Sequence, residues 1–159
     1  MVRIGVISDT HAQLRHEATF FLQGSDYLIH AGDICDPGIL DQLRAIAPLT
    51  VVMGNNDKGA WADRLKETEF LQIGATLIYV IHDIARLDID PVAAGVHAVV
   101  AGHSHKPRVE ERDGVLFVNP GSAGPRRFTL PIAVAQIIVD GGSLSARIVE
   151  LAVAPSAKR

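Results

Sequence analysis

The first third of the chain alternates short apolar runs with amphipathic segments, the order expected of strands and helices in a parallel α/β sheet. Runs rich in β-branched and aliphatic residues at positions 3–8, 27–31 and 49–53 each predict a buried strand. Apolar residues recur at helical spacing between these strands, at Leu14, Ala18, Phe21 and Leu22 and again at Ile39, Leu43, Ile46 and Ala47. Asp36 is suited to cap the second helix, which Pro37 can open. The predicted order is therefore strand, helix, strand, helix, strand.

The rest of the chain favours antiparallel β-structure with two short helices. Asp113-Gly114 is a strong two-residue hairpin signal, and residues 140–143 separate two further apolar runs in the same manner. One short helix is predicted near Trp61, and another is predicted to begin at Asp90-Pro91. Further strands are predicted at residues 69–73, 76–82, 96–101, 108–112, 115–119, 132–139 and 145–152. Two sheets packed face to face, with helices on the outer faces, use all of these elements.

Length and composition indicate one domain with a sizeable core. The chain has 159 residues, of which 48% are hydrophobic. We assign residues 1–153 to a single domain and residues 154–159 to a flexible tail. The formal net charge of −3, from 15 basic and 18 acidic side chains, provides no general attraction to nucleic acid or to an anionic membrane. Binding to long nucleic acid or to a membrane surface is therefore not expected.

Cysteine usage and the shortness of the apolar runs predict a cytoplasmic protein. Cys35 is the one cysteine and has no intrachain disulfide partner, as is typical of a reducing compartment. The apolar run at the amino terminus is broken by Ser8-Asp9 and is far too short for a signal sequence. No run approaches the roughly 20 apolar residues that a membrane-spanning helix requires.

The apolar run at residues 96–101 ends on Gly102, His103, Ser104 and His105. In a continuing strand, residues two apart point the same way, so His103 and His105 can face one pocket and offer nitrogen ligands to a metal ion. Two exposed loop histidines explain this stretch equally well. The stretch alone leaves the two interpretations open.

Polar side chains suited to metal binding stand just beyond the carboxyl ends of five predicted strands. Ligands in open α/β sheets bind at these ends, so side chains from five segments can converge. Carboxylate, carboxamide and imidazole groups together suit manganese, iron, zinc or cobalt better than calcium. Their number exceeds what one structural zinc takes and therefore favours a two-metal site. The candidates are Asp9, His11, Asp33, Asn55, His82, His103 and His105.

Five short motifs resemble, in order, the sequence blocks of the calcineurin-like metallophosphoesterases. They are similar above all to the small single-domain branch of bacterial and archaeal phosphodiesterases, to which the scaffold subunit of the eukaryotic retromer is related. Residues 119–122, with Pro125-Arg126 after them, are similar to another signature of that branch. The five motifs are Asp9-x-His11, Gly32-Asp33, Gly54-Asn55-Asn56-Asp57, His82 and Gly102-His103-Ser104-His105.

The resemblance implies a four-layer α/β/β/α sandwich of two mixed β-sheets and a dinuclear metal site. It assigns the seven candidates both metal-binding and catalytic roles: Asp9, His11 and His105 on one ion, Asn55, His82 and His103 on the other, and Asp33 between them. The implied activity is that of a metal-dependent phosphoesterase, specifically a phosphoric diester hydrolase, in which a metal-bridging hydroxide attacks phosphorus. Mn²⁺ is the expected ion, with Ni²⁺, Zn²⁺, Fe²⁺, Co²⁺ and Mg²⁺ as alternatives.

Two positions depart from the family pattern. Many larger members have a histidine after the Gly-Asn pair, suited to protonate the leaving oxygen, whereas this chain has Asn56. Relatives commonly have glycine after the fourth-block histidine, whereas Asp83 follows His82 here. We therefore hypothesise weak assistance to the leaving group, so diesters with acidic leaving groups should react fastest.

Four further residues near the motifs have both structural and functional interpretations. Asp57 is interpreted as an orienting or loop-capping residue rather than a catalyst, and Asn56 as a neighbour of the ligands or substrate. His30 is interpreted as a hydrogen-bonded structural histidine. Arg126 fits a contact with a substrate phosphate and a solvated loop equally well.

Alternative functions remain within the same fold. One is a scaffold protein with a metal site and little catalytic activity; another is a phosphomonoesterase or nuclease that uses the same ions. The presence of all seven candidate ligands favours an enzyme. The expected substrate is a small phosphorylated molecule or phosphodiester. Pairing of subunits, through exposed sheet edges or through a hydrophobic patch, is left open.

Overall fold

The computed structural model describes residues 1–153, so the predicted tail at residues 154–159 lies outside the described residues. Ten strands and two α-helices form in the places where the apolar pattern predicts them, with ends that differ by at most three residues. The strands are β1 (Val2–Ile7), β2 (Tyr27–His30), β3 (Leu49–Val51), β4 (Thr68–Ile73), β5 (Thr76–Ile81), β6 (Ala98–Val100), β7 (Arg108–Arg112), β8 (Val115–Asn119), β9 (Ala133–Asp140) and β10 (Ser143–Glu150). The helices are α1 (His16–Leu22) and α2 (Pro37–Arg44).

Two mixed five-stranded sheets form. The first has the order β10-β9-β1-β2-β3, with β1, β2 and β3 parallel and β9 and β10 antiparallel to their neighbours. The second has the order β4-β5-β6-β8-β7, with three parallel central strands and an antiparallel strand at each edge. The carboxyl ends of β1, β2, β3, β5 and β6 carry the predicted site residues.

Alternate residues of each central strand face opposite cores. In β1, Ile4 and Val6 pack between the sheets, against residues of β5 that include Ile78 and Val80. On the other face of the first sheet, Ile7 packs in a second cluster with apolar residues of both helices. The sheets are thus buried on both faces where parallel strands run, as parallel sheets require.

The helix N-terminus at Pro37 forms as predicted, because the Asp36 side chain accepts a hydrogen bond from the N–H of Gly38. The helical spacing of apolar residues extends beyond the end of the helix. Helix α2 ends at Arg44, and Ile46 and Ala47, in the turn that follows, pack in the same apolar cluster as the helix.

The α/β/β/α arrangement is confirmed, with a thin fourth layer. The outer face of the second sheet is covered by the loop after a 3-10 helix at Ile84–Arg86, where Leu87 and Ile89 pack against a cluster containing Tyr79 and Ile81. The prediction of a short helix beginning at Asp90 is wrong. The segment makes a single turn, because Gly95 adopts a left-handed conformation (φ 73°) and the N–H of Val96 bonds back to the carbonyl of Pro91.

The short helix predicted near Trp61 is a 3-10 helix at Ala62–Arg64. No helix among the described residues has the length and apolar character needed to cross a membrane.

Candidate metal centre

All seven predicted ligands lie together at the edge where the carboxyl ends of the parallel strands of both sheets meet. They follow β1, β2 and β3 of the first sheet and β5 and β6 of the second. The loops are joined by backbone hydrogen bonds that extend the sheets, including Asp9 N–H to Gly32 O (3.0 Å) and Gly102 N–H to His82 O (2.9 Å). Convergence therefore follows from strand order in two sheets.

One group of donor atoms is formed by Asp9, His11 and His105. Nε2 of His105 lies 3.3 Å from Oδ1 of Asp9 and 3.2 Å from Nε2 of His11. Nε2 of His11 lies 3.8 Å from the same Asp9 oxygen. One oxygen and two nitrogens thus point at a common position.

A second group is formed by Asn55, His82 and His103. Oδ1 of Asn55 lies 3.0 Å from Nε2 of His82 and 3.1 Å from Nδ1 of His103, and the two ring nitrogens are 3.3 Å apart. Asp9 and His105 are nearly fully buried, whereas Asn55 and His103 are exposed. The second group therefore forms the open side of the centre.

Asp33 lies between the two groups. Its Oδ2 atom is 3.7 Å from Nε2 of His11 and 3.5 Å from Nε2 of His82. Asp33 is buried, with 2% of its surface exposed. A single carboxylate oxygen can therefore serve both groups.

Five of the seven residues adopt a left-handed backbone, with φ between 45° and 69°; they are Asp9, His11, Asp33, His103 and His105. Such backbone costs about 1–3 kcal/mol at each non-glycine residue and persists only where the surroundings enforce it. It also corrects the expectation of a continuing strand at His103 and His105. The strand ends at Val100, and the left-handed turns send the two side chains to different groups.

The donor set fits divalent cations. Oδ1 of Asp9 is buried and accepts no hydrogen bond within residues 1–153. Nδ1 of His82 donates to the carbonyl of Ala31 (2.7 Å), so Nε2 of the neutral ring carries no proton. The lone pair of this Nε2 atom faces the side-chain oxygens of Asn55 and Asp33. Converging lone pairs repel one another unless positive charge lies between them.

The charge states of the two buried carboxylates also suit divalent cations. Burial raises the pKa of Asp9, but His105, the Ser8 hydroxyl and His82 outweigh it and hold the pKa below its usual 3.8. Burial acts likewise on Asp33, and the neighbouring His82 together with hydrogen bonds from Asn56 holds its pKa well below the usual range. Both carboxylates are therefore ionised at neutral pH. Burial lowers the pKa of His82, yet these carboxylates raise it above 6.5 overall.

Asp57 anchors the loops that carry Asp33 and Asn55. Its buried carboxylate accepts hydrogen bonds from four backbone N–H groups, those of Asp33, Ile34, Cys35 and Gly54, at 2.8–3.0 Å. The carboxylate thus ties the loop after β2 to the loop after β3. Asp57 makes these bonds with the backbone and lies behind the centre.

The loop at residues 119–122 braces the centre from the other side. The Asn119 amide donates to the carbonyl of Gly102 (3.0 Å), next to His103. The Ser122 hydroxyl donates to the carbonyl of Asp9 (2.9 Å). This signature therefore positions two of the loops that carry ligands.

Each candidate histidine has a second ring nitrogen that points away from its donor group. The sequence did not predict which groups contact these second nitrogens. Nε2 of His103 lies 3.8 Å from a carboxylate oxygen of Asp83, and Nδ1 of His11 lies 3.8 Å from Sγ of Cys35. Burial raises the pKa of the Cys35 thiol to about 11, so the thiol stays protonated. The contact between His103 and Asp83 could have been found from the sequence, because an acidic residue directly follows His82. The contact between His82 and the backbone carbonyl of Ala31 has no such signal in the sequence.

The remaining candidates have separate positions. His30 is fully buried and accepts from the N–H of Gly32 (3.1 Å), so its Nε2–H donates to the Thr10 hydroxyl (3.0 Å), in agreement with a structural role. Arg126 is exposed and donates within its own loop to the carbonyl of Leu130 (3.4 Å). Its contact with substrate stays a prediction, as does metal binding by the seven converging residues.

Comparison with known proteins identifies the same family that the sequence motifs resemble. The family model of the calcineurin-like phosphoesterase superfamily domain matches residues 2–142. A protein of Methanothermobacter thermautotrophicus, described as a probable metallophosphoesterase, is 34% identical over 157 residues, covering 92% of this chain and 91% of that protein. A phosphodiesterase of Methanocaldococcus jannaschii is 27% identical over 143 residues, covering 76% and 83%. A crystal structure of a Vps29 mutant from Entamoeba histolytica has a TM-score of 0.72 at 25% identity, covering 94% of this chain and 99% of that one.

Proposed function

This chain belongs to the calcineurin-like phosphoesterase superfamily, a metal-dependent family, and from that premise we propose that it hydrolyses phosphodiesters at a dinuclear centre. The observation that carries the proposal is the position of Asp33 Oδ2, 3.7 Å from Nε2 of His11 in one donor group and 3.5 Å from Nε2 of His82 in the other. A carboxylate between two such groups suits a pair of ions.

In this proposal Asp9, His11 and His105 hold one ion, and Asn55, His82 and His103 hold the other. Asp33 contacts both. Bound divalent ions supply Lewis acidity and a water of lowered pKa at neutral pH. Mn²⁺ is the proposed ion, because the mixed oxygen and nitrogen donors suit it.

The residues of the chain hold this centre ready for substrate. Asp57 and the N–H of Asn56 fix the Asp33 loop, which keeps its carboxylate aligned with both histidine groups. The exposed side chains of Asn55 and His103 mark the side from which a phosphate group can approach. Preorganised ligands of this kind cost no rearrangement during reaction.

Leaving-group chemistry favours activated diesters in this proposal. Position 56, where larger relatives have a histidine, carries a carboxamide whose N–H₂ donates to Asp33 (2.9 Å). A carboxamide supplies no proton near neutral pH. Assistance to the leaving oxygen should therefore be weak.

The named phosphodiesterase among the relatives supports the choice of a diester over a monoester. Two alternatives have their own support. A scaffold protein is consistent with the similarity to Vps29, and a phosphomonoesterase or nuclease is consistent with the same donor groups. The presence of all seven candidate ligands, brought together at one edge of the two sheets, favours the enzyme.

The test uses metal-stripped protein, titrated with Mn²⁺, Ni²⁺ and Mg²⁺, on bis(p-nitrophenyl) phosphate and on p-nitrophenyl phosphate. We expect metal-dependent hydrolysis that is faster with the diester, and calorimetry should detect two bound ions. Asp33→Ala should abolish activity, whereas Asp63→Ala, an exposed carboxylate outside the centre, should not. Metal binding without hydrolysis of either ester would favour the scaffold.

A further inference from the structure

A cavity of about 340 Å³ opens directly beside the second donor group. Asn55, His82 and His103 form one wall of it. Met53 and Ile81 contribute apolar surface. Its size falls at the lower end of the range of roughly 300–1,000 Å³ for small-molecule pockets. The cavity therefore has room for an organic group attached to a phosphate at the donor atoms.

Four charged side chains line the rest of the cavity: Glu67, Asp83, Arg86 and Asp88. Asp83 is engaged, because one of its oxygens accepts from the N–H of Ala85 and the other faces His103. Glu67, Arg86 and Asp88 are exposed and form no ion pair within residues 1–153. Away from the donor group and the ion it would hold, three carboxylates against one guanidinium give the lining an excess of negative charge.

We propose that this cavity binds one ester group of the substrate and selects a small cationic alcohol group, such as an amino alcohol, over an anionic one. The inference rests on the proposed function. A phosphodiester held at the donor groups carries two organic groups, and the cavity is next to His103 and Asn55. An ammonium group there meets Glu67 and Asp88, whereas a carboxylate or second phosphate meets the same charges with repulsion.

The test compares three p-nitrophenyl phosphodiesters that share a leaving group and differ in the second ester: 2-aminoethyl, propyl and 2-carboxyethyl. At low ionic strength we expect kcat/KM to fall in that order, by about tenfold between the first and the last, since exposed charge pairs have modest energies. Added salt should shrink the contrast, because it screens exposed charges. Propyl is the neutral reference of similar size.

Substitutions of the charged cavity residues test whether these residues cause the difference in kcat/KM among the three substrates. Glu67→Gln combined with Asp88→Asn should bring the three rates together, and Arg86→Gln should widen their separation. The control, Asp63→Asn combined with Asp140→Asn, removes the same formal charge from exposed positions that do not line the cavity and should leave the contrast unchanged. Equal wild-type rates, or a contrast that survives the Glu67 and Asp88 changes, would overturn the inference and leave the proposed function intact. Loss of all metal-dependent hydrolysis would overturn both.

Discussion

The side-chain amide of Asn56 donates to Oδ2 of Asp33 at 2.9 Å, and this is the oxygen that lies between the two histidine groups. The backbone N–H of Asn56 donates to the other oxygen at 2.8 Å. Residue 56 therefore orients the proposed bridging carboxylate.

Asn56→Ala should weaken metal binding. Removing a hydrogen bond to a ligating carboxylate typically lowers metal affinity or activity by about 10- to 100-fold. Calorimetric titration of Mn²⁺ and the metal dependence of hydrolysis measure the change. Gln42→Ala removes an exposed amide from α2 and should behave as wild type. Unchanged affinity in Asn56→Ala would show that the Asp33 contact is dispensable.

Rates should depend steeply on the acidity of the leaving group. Because the Asn56 carboxamide cannot protonate a leaving oxygen near neutral pH, aryl esters with acidic phenols should react far faster than alkyl esters. A series of substituted phenyl esters of one phosphodiester, with kcat plotted against phenol pKa, provides the measurement. Equal rates on aryl and alkyl phosphodiesters would contradict this expectation.

Gly54→Ala should disrupt the centre. A Cβ atom at Gly54 would overlap both the carboxylate and the backbone nitrogen of Asp33, and the backbone cannot move cheaply. We expect a loss of stability of about 1–3 kcal/mol from overpacking, together with reduced metal affinity. Gly142→Ala is the matched control, since nothing lies within 4 Å of its Cβ position. Urea unfolding and metal titration of both variants distinguish the two positions.

Asp57→Asn should destabilise the apoprotein. Its carboxylate accepts four backbone hydrogen bonds, whereas an asparagine would direct an N–H₂ group at some of those donors. Leaving buried N–H groups without an acceptor should cost about 3 kcal/mol in the free energy of unfolding. Urea unfolding in EDTA checks this value. Asp63→Asn, at an exposed position of the 3-10 helix Ala62–Arg64, should change stability by less than about 0.5 kcal/mol.

His30 should make stability depend on pH. Burial lowers its pKa from 6.5 to about 4, although the charge of Asp9 opposes that shift. Below pH 6.5 the unfolded chain takes up a proton at His30 that the folded chain refuses until about pH 4. His30 should thus remove about 3 kcal/mol of stability as pH falls through this window, with no further change below it.

The His30→Gln variant isolates this effect. Its free energy of unfolding, measured in EDTA from pH 7 to pH 4, should fall less steeply than that of the wild type. Parallel curves for the two proteins would show that His30 contributes nothing to the pH dependence.

Local sequence patterns predicted the ten strands and the identity of the converging residues. Continuous apolar runs predict strands buried on both faces, and the polar residues that end such runs in β1 and β5 must emerge at one edge of a sheet. The failure at residues 90–96 was also local, because the left-handed Gly95 ended the segment after one turn.

The division of the ligands into two groups came from the family resemblance and not from spacing. His103 and His105 are two residues apart, and a strand would have aimed both at one place. Only the tertiary structure decided that His105 meets Asp9 and His103 meets Asn55. The reason is that left-handed backbone at these residues is held by contacts with distant loops, which no local pattern encodes.

By itself, then, the sequence determined which residues are apolar, where strands end and which donor atoms stand at those ends. The tertiary structure decided which strands pair, as in β1 with β9, and which side chains hold the donors, as Asp57 holds the loop of Asp33. Hydrophobic periodicity specifies the face that a strand buries but not its partner. Pairing depends on contacts between residues far apart in the chain, and these form only when the whole core packs.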